Sequence, residues 1–260
     1  MNATLLTAAL EPLASTVLLA ARLAGLLLIA PVFAARAVPT KIRVAVLLVI
    51  TIALHPWAAG SSTGATLNVV TILGETVVGL VVGLGAAVFI GAAETAGEWT
   101  AVQMGLAGAT TVNPLSTEST PVLGNFMAMT GVALLLSVDG HVVMLEAVLA
   151  TTDLIPLGGE WTTTGARASV TVLGADLFLT GLRFAAPVIA VLLVVNVGLG
   201  ILARTSPQLN LLMVAFPVQI GLGLLALVLG LPLLSGVFGS WPLLFEDLLG
   251  RTMSGFVVSP

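Results

Sequence analysis

Apolar runs of about twenty residues or more recur along this chain, and they constrain its fold more than any single motif does. They cover about 13–34, 42–59, 67–92, 122–150, 168–203 and 209–240, each bounded by Gly, Pro, Ser or charge clusters. Crossing the roughly 30 Å of bilayer hydrocarbon takes about twenty helical residues, whereas barrel strands would be shorter and would alternate with polar positions. The pattern predicts an all-α integral membrane protein, a single membrane domain of about six long, kinked or broken hydrophobic helices. With 58% hydrophobic residues, 8% charged ones and a mean hydropathy of +1.17, a water-soluble globular domain is excluded.

Composition narrows the chemistry as well. The chain has no cysteine, which removes disulfides, iron–sulfur ligation and thiol catalysis. His55 and His141 are the only histidines, so neither a metal cluster nor a cofactor is expected. The net charge of −4 arises from scattered single charges, which leaves no basic footprint for nucleic acid. Arg22 and the sequence Ala35-Arg36-Ala37 have a passing likeness to a cleaved signal, but no Lys or Arg precedes Arg22 and Glu11 does, so a retained first span is expected. Arg36, Lys41 and Arg43 in the first connection place it on the cytoplasmic side, with both termini outside; Arg204 then falls inside, against Arg167 and Arg251 outside.

Two segments exceed a simple span. A helix over 168–203 would run roughly 54 Å, and it contains Asp176, Arg183 and Pro187. The stretch 209–240 carries Pro217 and Pro232. Arg22, Glu75, Asp139, Glu146, Asp176 and Arg183 all lie within apolar runs, where an ionised group is costly unless paired or hydrated. Surrounding protein or an aqueous interior is therefore expected, with each charge serving either an ion pair between helices or the movement of protons or substrate.

Glu75, Gly79, Gly83, Ala87 and Gly91 recur every four residues, a small-residue ridge suited to close helix packing within the chain or against another subunit. Asp139-Gly140 is a turn signal inside the fourth segment and predicts a kink or a re-entrant hairpin. No HExxH, GxSxG or Walker A pattern occurs, so no enzymatic activity is expected. Broken helices around charges also suit a secondary transporter or channel for a small solute, although no internal repeat supports one. QMGLAGATTVNPLSTESTP at 103–121 joins two spans with one charge, Glu118, and no Lys or Arg. Loops of that length are commonly either functional or disordered.

Six motifs follow one another along the chain: Arg22 with APVFAARAVPTKIRVAV at 30–46, GETVVGLVVG at 74–83, TVNP at 111–114, VDGHVVMLEAV at 138–148, IPLG at 155–158 and SPQLNLLMVAFPVQIGLG at 206–223. Taken in that order they resemble the FliR family of flagellar export-gate proteins and its injectisome counterpart SctT. The resemblance covers about 15–235 and rests on order and spacing. The family usually has lysine where this chain has Gln219, and commonly glycine where it has Ala215 before Phe216-Pro217. The resemblance implies a non-enzymatic subunit of a bacterial inner-membrane gate in the flagellar basal body, through which unfolded flagellar proteins leave the cytoplasm. It implies assembly with FliP and FliQ, contact with FlhB, and energy from an associated ATPase and the proton motive force. A FliP-like part would span 1–165, and a FliQ-like hairpin with a C-terminal tail 166–260. The loop would close the channel, with Gly105, Gly108, Thr111, Asn113 and Pro114 as its plug residues, and Pro207, Gln208, Asn210 and Pro217 would shape the hairpin.

Overall fold

The computed structural model describes residues 3–34, 38–58, 67–106, 122–159, 163–206 and 211–253. Among these there are eight helices and no strand pairing beyond an isolated bridge position at Leu157. They are α1 (Ala3–Ile29), α2 (Thr40–Ala58), α3 (Val69–Gln103), α4 (Val122–Ser137), α5 (Gly140–Leu154), α6 (Thr163–Thr205), α7 (Leu211–Gly239) and α8 (Trp241–Met253). Five are long and apolar enough to cross a membrane, or six if the bent α4–α5 pair is one span. The chain is an all-α, multi-pass membrane protein.

Hydroxyls inside these helices do not break them, because each can return its hydrogen to the preceding turn. Thr51, Thr76, Thr95 and Thr130 donate to the carbonyls of Leu47, Ile72, Gly91 and Phe126. Such back-bonding satisfies a polar group where lipid offers no acceptor. The prolines act differently in different segments. Each removes one helical hydrogen bond, yet α6 continues through Pro187 and α7 through Pro217 and Pro232. The break falls in the fourth segment, where Asp139 takes φ 54° and α5 leaves α4 at 71°. Asp tolerates this left-handed geometry better than a branched residue does, and Gly140 follows it directly. A Cβ on Gly140 would lie 2.8 Å from the Leu135 carbonyl, so the corner also requires the absence of a side chain there.

The chain divides into two compact units. One comprises Met1–Val88, Leu135–Ala175 and Trp241–Pro260; the other comprises Phe89–Leu134 and Asp176–Ser240. In the first, α2 packs against α1 and α5, and α5 packs against α8. Its core includes Leu18, Leu19, Leu23, Leu26 and Met144, closed by Trp241 and Phe245, whose rings stack with centroids 4.7 Å apart. The short α8, expected only as a C-terminal tail, therefore belongs to the core. Ser169, in the second turn of α6, donates to the carbonyl of the buried Thr252 near the end of α8. In the second unit, Trp99 meets Phe178 edge-on at 5.4 Å, and Phe184 stacks on Phe238 at 6.5 Å. Burial is uneven: in an apolar 18-residue stretch of α3, 67% is buried within the chain itself, against 11% in such a stretch of α2 and 17% in those of α6 and α7. The last three present most of their apolar surface outward.

Candidate functional site

A fully buried arginine organises the first unit. Arg22 sits on α1 at 0% exposure, and its guanidinium reaches three elements at once. Nε donates to Glu75 Oε2 on α3 at 2.5 Å, Nη1 to Thr151 Oγ1 on α5 at 3.0 Å, and Nη2 to the Ile155 carbonyl just beyond α5 at 2.9 Å. The second carboxylate oxygen, Glu75 Oε1, accepts from the Gly158 backbone N–H at 2.8 Å. The Thr151 hydroxyl in turn donates a hydrogen bond to the Val148 carbonyl. A buried pair is tolerable only when its groups find partners, and here each guanidinium nitrogen and each carboxylate oxygen has one within the chain.

The turn after α5 is built for that role. Ile155 and Leu157 bury their side chains while the backbone between them faces the pair. Gly158 adopts φ 80°, a conformation open to glycine and strained for other residues, and this aims its N–H at the carboxylate. The IPLG sequence thus supplies a carbonyl at one end and an N–H at the other.

Arg22 can reach Glu75 because α1 and α3 touch backbone to backbone. A Cβ on Gly79 would overlap the Arg22 carbonyl, one on Gly25 would overlap the Thr76 carbonyl, and one on Gly83 would stand 3.1 Å from the Leu26 carbonyl. These glycines carry the close approach that the four-residue ridge implied for Glu75, Gly79 and Gly83. Ala87 lies further along, half-buried, and in the second unit Gly91 faces the Leu177 side chain at 3.3 Å.

The second unit holds the root of the glycine-rich stretch. Met104 is fully buried, and its side chain occupies the space that a Cβ on Gly223 of α7 would need, 2.5 Å from Met104 Cε. Gly105 follows with φ 77°, and a Cβ there would lie 2.9 Å from the Phe216 ring. Gln219, one turn beyond Phe216, donates to Asn196 Oδ1 on α6 at 2.6 Å. Of the five candidate plug residues only Gly105 is described; Gly108, Thr111, Asn113 and Pro114 lie outside the described residues, as do Pro207, Gln208 and Asn210. Pro217 lies within α7 and is exposed.

The six charges in the apolar runs separate into two groups. Arg22 and Glu75 come together, whereas Asp139, Glu146 and Arg183 are exposed on the chain and Asp176 is half-buried. The charge pattern alone could not have revealed the supporting members, Thr151, the Ile155 carbonyl and Gly158. A glycine closing a short turn after a helix was the available signal.

The chain matches the family model described as bacterial export proteins, family 1, over residues 13–241. It is 31% identical to the flagellar biosynthetic protein FliR of Escherichia coli K12 over 216 residues, covering 82% of this chain and 83% of that one. It is 30% identical to FliR of Pectobacterium carotovorum over 215 residues, 82% of each chain. With FliR of Caulobacter vibrioides it shares 28% identity over 233 residues, 88% of this chain and 92% of the relative. Matches of this length enclose the Arg22–Glu75 network, the α4–α5 corner and the root of the glycine-rich stretch, and the chain belongs to the FliR family of bacterial export proteins.

Proposed function

We propose that this protein is a non-enzymatic subunit of the flagellar type III export gate, in the bacterial inner membrane at the base of the flagellum. Together with FliP and FliQ, and contacted by FlhB, it forms and closes the channel for unfolded export substrates. The observation that carries this reading is the kinship with FliR proteins along nearly the whole apolar chain. The helices support it: α2, α6 and α7 leave most of their span uncovered, and α6, at 43 residues, is about 64 Å long, well beyond a single bilayer crossing. Such surfaces suit burial among sister subunits, with residues 1–165 as the FliP-like part and 166–260 as the FliQ-like hairpin and tail.

The stretch after Gly105 is the plug in this reading. Low charge lets it lie in a narrow lumen without gripping a passing polypeptide, and its Thr, Ser and Asn side chains can hydrogen-bond to their own backbone. The buried Met104 and the turn at Gly105 give it a fixed root. Purification from native membranes of the host tests the assignment. Recovery of the chain with FliP and FliQ supports it; a solitary chain active in moving a small solute would replace it with a transporter.

A further inference from the structure

The hairpin of α6 and α7 leaves the packed core of the second unit at a defined level. Along α6 the last buried residue is Leu192, and along α7 the first, among the described residues, is Gly223. Between them, 193–206 and 213–222 include no buried residue, and a Cβ on Gly198, Gly200 or Gly221 would meet no packed neighbour within 4 Å. These stretches form an arm of about 15–20 Å at 1.5 Å per residue, tied across by the hydrogen bond from Gln219 to Asn196. Its backbone is weakest where it joins the core. Pro217 has no N–H for the Met213 carbonyl, and Gly221 and Gly223 follow within two turns.

The end of α3 is seated at that same level. The Gly105 N–H returns to the Val102 carbonyl and the Leu106 N–H to the Ala101 carbonyl, so the turn is closed by its own hydrogen bonds. Against α7 it is packed and not bonded: the fully buried Met104 fills the notch at Gly223, and the Phe216 ring of the arm lies against Gly105. Among the described residues no hydrogen bond joins 104–106 to α7. A seat held by packing alone can open and close while the turn stays intact. We propose that the arm is a lever. As it swings about Pro217–Gly223, Met104 leaves the notch, Gly105 loses the Phe216 ring, and the turn that roots the glycine-rich stretch is released. That this release serves the passage of an unfolded polypeptide rests on the function proposed above; the seat and the pivot do not.

The chain has no native cysteine, so Met104→Cys places its one thiol at the seat. In the assembled complex at rest, alkylation of that thiol by N-ethylmaleimide should be slow, because the side chain is covered. With an export substrate stalled in the channel by a folded fusion partner, we expect the rate to rise by about tenfold or more. Adding Pro217→Ala, which restores the N–H at the pivot, should lower that rise several-fold. A rate unchanged by the stalled substrate, or a rise that Pro217→Ala leaves intact, overturns the proposal. Met104→Cys with Gly223→Cys tests it from the other side. Oxidised with copper phenanthroline, the pair should cut export of a secreted reporter by about tenfold, and a reductant should restore it. Normal export through the oxidised pair also overturns the lever. A labelling rate that rises with substrate in a complex whose conductance ignores the loss of 105–114 sinks the plug and keeps the lever; the reverse pattern sinks the lever alone.

Discussion

Removing Arg22 is more harmful than its hydrogen bonds alone suggest. Arg22→Ala strands the Glu75 carboxylate at 4% exposure with only the Gly158 N–H to balance it, and should destabilise the chain by about 3–5 kcal/mol. Glu75→Ala strands the guanidinium in the same way. Replacing both with apolar residues, as in Arg22→Met with Glu75→Leu, should cost less than the sum of the two single changes, because no lone charge is left behind. Thermal denaturation of the four purified proteins measures this coupling; strictly additive losses would contradict it. Gly158→Ala tests the turn at the same site. Its φ of 80° should cost an alanine about 1–2 kcal/mol, with the Glu75 contact weakened in consequence.

At the scale of elements, two glycines face different kinds of neighbour. Gly79→Ala drives a methyl into the Arg22 carbonyl, which is helix backbone and cannot yield without α1 and α3 parting, so a loss of about 3 kcal/mol is expected. Gly223→Ala meets the Met104 side chain, with Cε at 2.5 Å and Cγ at 2.7 Å, but this is a flexible thioether that can repack, and about 1 kcal/mol is expected. Comparing the melting temperatures of the two variants checks the order, and equal losses would refute the distinction between backbone and side-chain contact. For α8 the test is Phe245→Ala. The ring is fully buried, stacked on Trp241 and 3.2 Å from where a Cβ on Gly85 would stand, so its removal should cost about 3–5 kcal/mol. A free tail would lose nothing.

For the whole molecule, the consequence of the proposed plug is a change in permeability with assembly intact. Deleting residues 105–114 leaves Met104, buried in the second unit, in the chain. The assembled complex should form at normal yield, while cells carrying it leak small ions and solutes. Conductance measurements on the reconstituted complex check this, and an unchanged conductance would mean that the closure lies elsewhere. The outward apolar faces of α2, α6 and α7 predict a second whole-molecule behaviour: expressed without its neighbours, the chain should accumulate poorly and aggregate in detergent, and co-expression with FliP and FliQ should relieve both.

The apolar runs determined by themselves that this is a helical membrane protein, and Asp139-Gly140 marked the corner between α4 and α5, because span length and turn chemistry are local properties. The four-residue ridge likewise announced a close helix contact, although not its partner. Which charges pair was decided only by the tertiary structure. Arg22 and Glu75 stand 53 positions apart, and Thr151 lies 129 from Arg22, so they meet through the crossing of α1 with α3 and the return of α5. The burial of α8 was equally hidden, since a 13-residue segment bearing Glu246, Asp247 and Arg251 looks polar until Trp241 and Phe245 find a core to enter. A sequence carries the cost of each buried charge and the size of each ring; only the fold brings together the groups that offset them.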